Sequence, residues 1–247
     1  CMLSDDSSVG SLFACFSDHP VNAIINICSY RGKAMKRSVL VLMLLVGCVN
    51  ARSGLWPDGS IPFIAIGLSG SELSAVTECM IKWELATKGA IRFRPVVDIE
   101  DEYLFITHQD IPNATEAYVQ MGTRRTLYIT SDSDNRAILH GLGHVIGLYH
   151  EHQRIDRDSY ISVEIYPGNP PMVDMQLSIY APEDSACDQR QYPYDYRSIM
   201  HYREKDVEGF GRINGHGNEL GNDEISFLDA LKVINMYSVK DNSELGQ

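Results

Sequence analysis

The 247-residue chain lacks an apolar run long enough to cross a membrane, and it contains few cysteines and few basic residues. An apolar stretch at residues 39–46 falls well short of the roughly 20 residues that a transmembrane helix needs. With 21 Lys and Arg against 33 Asp and Glu, the net charge is −12, which disfavours binding to nucleic acid or to an anionic membrane surface. The length suits one domain of ordinary size with a short leader.

The leader has the features of a secretory signal. Lys36-Arg37 precedes the apolar stretch, and small residues follow it. Two cleavage sites compete: Val49-Asn50-Ala51 suits ordinary signal peptidase, whereas Leu45-Val46-Gly47-Cys48 resembles a bacterial lipobox in which Cys48 is lipidated. We therefore expect a secreted, extracellular protein, or a cell-envelope lipoprotein tethered to the membrane through Cys48 if the source is bacterial.

These features divide the chain into four parts. Met35 is the natural start, so the preceding residues, which begin with Cys1, are expected to have no structural role. The predicted parts are an upstream extension (1–34), a signal peptide (35–51), a globular domain (52–240) and a tail (241–247).

The predicted globular domain keeps only two cysteines, Cys79 and Cys187. They could form a disulfide in an oxidising compartment, or both could be free thiols. Sequence spacing does not decide between these alternatives.

The most informative pattern is a group of three histidines, His140, His144 and His150. Residues four apart share one face of a helix, so the rings of the first two emerge one turn apart. Gly147 can adopt a left-handed conformation that ends the helix and lets the chain bring His150 back as a third ligand. Three imidazole nitrogens with an open fourth position are typical of a catalytic zinc site, so we expect one Zn²⁺. Two histidines four residues apart could be incidental residues of a helix. The full pattern of His140, His144, Gly147 and His150 is far more specific for a zinc site.

Two motifs, one after the other along the chain, resemble those of the astacin family of metzincin zinc endopeptidases. The first runs from the histidines through residues 151–158, the second is Ser198-Ile199-Met200-His201-Tyr202, and further similarity lies at residues 55–63 and 234–237. The resemblance implies the two-lobed α+β metzincin fold. That fold has an upper twisted mixed sheet with helices and a lower, mostly irregular lobe with a C-terminal helix. A protein or peptide substrate would lie extended in the cleft between the lobes, paired with an edge strand near residues 117–120.

The resemblance also implies roles for individual residues. The three histidines would bind zinc, and Met200 would form the apolar floor beneath the metal. Tyr202 would be a weak additional ligand that can swing away and donate to the oxyanion, and Glu151 would anchor the mature amino terminus. Met200 and Tyr202 would also suit ordinary core packing. The protein is expected to be a monomer.

Position 141 departs from the family pattern. The family has a glutamate beside the first histidine, which takes a proton from the attacking water, whereas Gly141 has no side chain. General acid–base catalysis typically contributes about 10²–10⁴-fold, so we expect zinc ligation without efficient turnover. The chain is expected to be a zinc metalloendopeptidase impaired at its general-base position, or a catalytically inactive pseudoprotease that binds peptides or proteins. A pseudoenzyme, a damaged copy of an active enzyme and a sequence error all remain as explanations of the glycine.

Hydrophobic periodicity and turn residues predict the remaining elements. A capping box at Ser69 and Glu72 should open a helix in which Leu73, Val76, Met80 and Trp83 recur at three- and four-residue steps. The last helix carries Leu228, Leu231 and Ile234. Strands are expected at 61–66, 91–94, 103–107, 117–120 and 126–130, and further helices at 135–148 and 223–237.

Overall fold

The computed structural model describes residues 55–97, 102–109, 118–120, 125–169, 171–180 and 189–238. The expected upstream extension, signal peptide, lipidation site at Cys48 and tail all lie outside the described residues. Cys187 lies outside them too, so its pairing with Cys79 stays open. Cys79 itself is buried, its thiol lies 3.6 Å from the carbonyl oxygen of Asn135, and burial raises its pKa to about 12.

A five-stranded mixed sheet forms the first layer, in the order β2-β1-β3-β5-β4. The strands are β1 Ser60–Ile66, β2 Arg92–Pro95, β3 Leu104–His108, β4 Tyr118–Gln120 and β5 Arg125–Ile129. Four of them are parallel, with Phe63 opposite Leu104 and Leu104 opposite Arg125, whereas β4 pairs antiparallel with β5 at the edge of the sheet. All five predicted strands are confirmed, with bounds that differ by at most one residue.

The helices are α1 Gly70–Ala86, α2 Asn135–Ile146, α3 Pro171–Leu177 and α4 Phe227–Ser238. The capping box of α1 is present: the Ser69 hydroxyl accepts from the Glu72 N–H at 3.3 Å, and the Glu72 carboxylate accepts from the Ser69 N–H at 2.6 Å. Of the apolar residues that recur along α1, Val76, Met80 and Trp83 are buried, whereas Leu73 in the first turn is 44% exposed. No helix among the described residues has the length and apolarity needed to cross a membrane.

Helix α4 begins four residues later than the predicted start near residue 223, and its regularly spaced apolar residues are not the ones it buries. Leu228, Leu231 and Ile234 are only half-buried. The residues that the helix buries are Asp229, Ala230, Lys232, Val233 and Met236. Charged side chains can occupy this face because they meet buried partners from distant parts of the chain, as described below.

The region after Gly147 is more regular than predicted. Besides α3 it contains a two-stranded antiparallel sheet, in which β6 Ser162–Ile165 pairs with β7 Gly211–Asn214. The described residues form two separate hydrophobic cores. The larger contains Trp56, Trp83, Leu127, Leu142 and Met200 among others, and the smaller contains Ile161, Leu177, Tyr194, Val207, Ile213 and Leu220. Two cores agree with the predicted two-lobed α+β plan.

Candidate metal centre

Helix α2 carries the first two histidines, and both of its ends are fixed. At the start, the Asp134 carboxylate accepts from the Ala137 N–H at 2.8 Å. At the end, Gly147 adopts φ 115° and ψ 12°, and its N–H donates to the carbonyl oxygens of Gly143 and His144. A left-handed residue ends a helix without strain only where it lacks a side chain, as predicted for this glycine. The helix ends at Ile146, two residues earlier than expected.

The final carbonyl groups of α2 are also satisfied by side chains. Trp56 Nε1 and Arg125 Nη1 donate to the Val145 carbonyl oxygen at 2.8 and 2.9 Å, and the Tyr237 hydroxyl donates to the Ile146 carbonyl oxygen at 2.7 Å. These carbonyls have no partner within the helix. Three residues from different parts of the chain therefore hold the end of the helix next to the ligands.

Beyond Gly147 the chain turns back and places the third histidine beside the first two. The Glu151 N–H donates to the Met200 carbonyl oxygen at 3.0 Å, which fixes this return. As a result, Nε2 of His150 lies 3.0 Å from Nε2 of His140 and 3.0 Å from Nε2 of His144. The three imidazoles form the metal-ligating cluster of the described residues, and their candidate ligand atoms lie within 4.8 Å of one another.

Hydrogen bonds on the other side of each ring determine the tautomers. Nδ1 of His140 lies 2.9 Å from the Ile199 carbonyl oxygen, and Nδ1 of His144 lies 2.9 Å from the Leu148 carbonyl oxygen. A carbonyl oxygen only accepts, so both Nδ1 atoms carry the proton.

His150 has a side-chain partner instead. Its Nδ1 lies 2.8 Å from Oε1 of Gln153, whose Nε2 donates to the carbonyl oxygens of Met175 and Ser178 at 3.0 and 3.1 Å. Those two bonds fix the orientation of the amide, so Oε1 accepts and Nδ1 of His150 donates. All three Nε2 atoms are therefore unprotonated.

This donor set fits one zinc ion. Unprotonated nitrogens are acceptors only, so the three Nε2 atoms cannot hydrogen-bond to one another. A cation shared between them would accept all three lone pairs. Nitrogens bound at about 2.0–2.1 Å to one tetrahedral zinc lie about 3.3–3.4 Å apart, close to the 3.0 Å separations found here. Burial lowers the pKa of each ligand, and the neighbouring histidines lower the pKa of His140 and His150 further. The rings are thus neutral, as ligands must be.

Comparison with known proteins agrees with this site. The family model for Astacin, a family of peptidases, matches residues 48–238. The chain belongs to the astacin family. The family's zinc metalloproteases use one zinc, and the three-histidine cluster is where this astacin can bind it.

This chain matches only part of the length of its individual relatives. The zinc metalloproteinase nas-14 of Caenorhabditis elegans is 27% identical over 202 residues, which cover 77% of this astacin and 38% of nas-14. Bone morphogenetic protein 1 of Xenopus laevis is 33% identical over 153 residues, which cover 60% of this chain and 20% of that protein. This astacin therefore spans well under half the length of these relatives.

Solved structures support the fold. High choriolytic enzyme 1, a hatching enzyme zinc-protease from the medaka Oryzias latipes, matches with a TM-score of 0.63 and 23% identity, over 77% of this astacin and 97% of that chain. Myroilysin matches with a TM-score of 0.54 and 22% identity, over 76% of this chain and 98% of the myroilysin chain. The metzincin fold expected from the sequence is thereby confirmed.

Met200 lies against the ligand helix, and this contact explains a glycine for which the sequence offers no reason. The methionine is 1% exposed. A Cβ atom built on Gly143 would lie only 2.5 Å from Sδ of Met200 and 3.4 Å from Cζ2 of Trp83. The absence of a side chain at Gly143 therefore allows the close approach of the methionine, and the position of Met200 beneath the metal stays a prediction.

Tyr202 lies beside the third ligand. Its ring centroid is 4.7 Å from that of His150 and 4.2 Å from that of His152, and its hydroxyl donates to Oε1 of Gln176 at 3.3 Å. Sequence reasoning missed Gln176, because α3 is distant in the chain from both histidines. The role of Tyr202 as a weak ligand or oxyanion donor stays a prediction.

Among the described residues, the Glu151 carboxylate is bound by two cationic side chains and a backbone N–H. Its Oε1 accepts from Arg154 Nη1 and from the Asp195 N–H, each at 2.9 Å, and its Oε2 accepts from Lys232 Nζ at 2.6 Å. The predicted partner, a mature amino terminus, lies outside the described residues. Both oxygens of this buried carboxylate already have cationic partners, and no sequence pattern pointed to Lys232.

No carboxylate of a described residue joins the three histidines, and Gly141 is buried in α2 next to His140. The fourth nearby histidine, His152, is not a free proton acceptor. Its Nε2 donates to the Gln176 carbonyl oxygen at 3.0 Å, and its Nδ1 accepts from the Tyr202 N–H at 3.3 Å. Among the described residues, the three histidines can therefore hold a metal ion without a carboxylate beside them.

Proposed function

We propose that this astacin binds one zinc and a protein or peptide substrate, and that it hydrolyses peptide bonds poorly because Gly141 occupies the general-base position. The observation that supports the proposal is the contrast within one helix. His140 and His144 have the positions and tautomers of zinc ligands, whereas the residue directly after His140 has no side chain.

Bound zinc supplies a Lewis acid for the scissile carbonyl and for water. Removal of a proton from the attacking water then depends on a side chain. The carboxylate of Glu151 is held by Lys232 and Arg154, and both ring nitrogens of His152 are engaged. Neither residue is available as a substitute, so the expected deficit is the roughly 10²–10⁴-fold contribution of general acid–base catalysis.

The sheet supports a binding mode for the substrate. Strand β4, Tyr118–Gln120, lies at the edge of the sheet and packs against the ligand helix α2. An extended peptide can add to such an edge through backbone hydrogen bonds. We propose that the substrate binds along β4, with its scissile bond opposite the three histidines.

A second candidate is a pseudoprotease that binds peptides without cutting them. The same observation favours it, since the absence of a side chain at Gly141 affects chemistry but leaves the metal ligands and the edge strand in place. The two candidates differ in whether any cleavage remains. Secretion, the alternative of lipidation at Cys48, and a monomeric state are further proposals, based on residues 35–51 and on the acidic composition.

The test compares the zinc-loaded full chain with its Gly141→Glu and Gly141→Gln variants on a denatured protein substrate. The glutamine variant is the matched control, because it adds a side chain of the same size that does not act as a base. We expect all three proteins to bind one zinc, and Gly141→Glu to cleave about 10²–10⁴-fold faster than the parent or Gly141→Gln.

Other results would assign the function differently. Equal cleavage by the parent and Gly141→Glu would show that another group acts as the base. Tight binding of a peptide by the parent, with no cleavage over long incubation, would favour the pseudoprotease. Failure of the parent to bind stoichiometric zinc would refute the metal site itself.

A further inference from the structure

Helix α4 buries two charged side chains that the zinc chemistry does not use. Asp229 is 0% exposed and Lys232 is 2% exposed, and residues three apart lie on the same face of a helix. Burying a charge is costly unless the charge is paired and hydrogen-bonded. The partners of these two residues therefore indicate what the helix does.

Asp229 is joined to His140, the first of the three histidines, through the backbone of one residue, Ile199. Its Oδ2 accepts from the Ile199 N–H at 2.8 Å, and the Ile199 carbonyl oxygen accepts from Nδ1 of His140 at 2.9 Å. Its Oδ1 accepts from the Ser198 hydroxyl at 2.6 Å, and the oxygen of that hydroxyl accepts from the Met200 N–H at 2.9 Å. Asp229 thus holds the turn that orients His140.

Lys232 is joined to the third zinc ligand in a similar way. Its Nζ donates to Oε2 of Glu151 at 2.6 Å, and both side chains are buried. Glu151 follows His150 directly, and its N–H donates to the Met200 carbonyl oxygen at 3.0 Å. The lysine therefore fixes the segment that returns the third ligand.

We propose that Asp229 and Lys232 form a charge clamp, by which helix α4 positions His140 and His150 for zinc. Both are positioning residues, since neither contacts the nitrogens that bind the metal. The inference rests on the proposed zinc-binding function and deepens it. Loss of the partners that orient metal ligands typically weakens metal binding about 10–100-fold, so removing either side of the clamp should have an effect of that size.

The alternative is that α4 only adds apolar packing. Val233 lies on the same helix, is 0% exposed and belongs to the larger core, but it has no polar link to a ligand. Val233→Ala is therefore the matched control. It should lower Tm through lost packing while leaving the zinc dissociation constant of the folded protein unchanged.

The experiment uses the full chain with Asp229→Asn, Lys232→Met or Val233→Ala. The zinc dissociation constant is measured by competition with a chelator, at a temperature where circular dichroism shows the metal-free protein folded. The absorption spectrum of the Co²⁺-substituted protein reports ligand geometry independently of activity. We expect Asp229→Asn and Lys232→Met each to weaken zinc binding at least about tenfold and to alter the cobalt spectrum.

A paired variant tests the Lys232 side of the clamp further. Glu151→Gln combined with Lys232→Met removes the carboxylate together with the lysine. No buried carboxylate is then left without its lysine partner. We expect this pair to bind zinc more tightly than Lys232→Met alone. If a single variant does not fold, Ser198→Ala replaces Asp229→Asn and Lys232→Gln replaces Lys232→Met, because both are milder changes at the same contacts.

The proposal is overturned if the clamp variants lower Tm as Val233→Ala does but leave the zinc dissociation constant and the cobalt spectrum unchanged. That result would show α4 to be a packing element only. Failure of the proposed function is distinct from it, because in that case the parent protein itself would not bind stoichiometric zinc.

Discussion

The close approach of the methionine turn to the ligand helix leads to a prediction about Gly143. In an ordinary helix, replacing an interior glycine by alanine stabilises the protein by about 1 kcal/mol. Here the added Cβ would lie 2.5 Å from Sδ of Met200. Since carbon atoms pack at about 3.5–4.0 Å, the two groups would have to separate by about 1 Å.

Met200 cannot simply move away as a whole. Its N–H donates to the Ser198 hydroxyl oxygen at 2.9 Å, and its carbonyl oxygen accepts from the Glu151 N–H at 3.0 Å. Either the side chain leaves its preferred rotamer or α2 shifts. Overpacking of this kind costs about 1–3 kcal/mol, which exceeds the gain in helix propensity. We therefore expect Gly143→Ala to be less stable than the parent, by about 1 kcal/mol net.

Gly70→Ala provides the matched control. Gly70 is the first residue of α1, it is exposed, and a Cβ atom there would meet nothing within 4 Å. This variant should be as stable as the parent or slightly more stable. Free energies of unfolding from urea titrations of the metal-free proteins measure both variants, and zinc stoichiometry shows whether the ligands are retained.

A double variant tests the cause. If the Met200 side chain is the obstacle, Met200→Ala should cost less in the Gly143→Ala background than in the parent, because residues in contact are energetically coupled. The reasoning would be refuted if Gly143→Ala gained stability as Gly70→Ala does, or if the two changes were additive.

Two further predictions concern the surroundings of the site. Gln153→Leu removes the acceptor that orients His150, so we expect zinc affinity to fall about 10–100-fold in a chelator competition; an unchanged dissociation constant would contradict the assigned tautomer. Tyr237→Phe removes the hydroxyl that donates to the Ile146 carbonyl oxygen at the end of α2. We expect it to lower the free energy of unfolding by about 0.5–1.5 kcal/mol without loss of zinc, and a protein that lost its zinc would argue against this purely supporting role.

The zinc ligands could be predicted because their arrangement depends on local geometry. His140 and His144 share a helix face because they are four residues apart, and Gly147 can take the left-handed conformation that ends the helix. The strands and the capping box of α1 follow from short-range patterns of the same kind. The strand bounds differ from prediction by at most one residue, whereas α2 ends two residues earlier and α4 begins four residues later than predicted, since the ends of elements depend on contacts with their neighbours.

Contacts between distant segments could not be predicted in this way. The apolar residues that recur along α4 are Leu228, Leu231 and Ile234, whereas the structure buries Asp229 and Lys232. Those charges are stable there only because Ser198, Ile199 and Glu151 meet them. Nothing in the local sequence of α4 specifies these partners.

The sequence by itself therefore determined the kind of site, through three histidines at the spacing typical of zinc ligands. Only the tertiary structure decided which ring nitrogens are left to bind a metal, since the acceptors for Nδ1 come from Ile199, Leu148 and Gln153. It also decided that Gly143 lies against Met200 and that α4 is linked to the segments that carry the histidines. The physical reason is that helix periodicity acts over a few residues, whereas hydrogen-bond partners and packing are chosen in space.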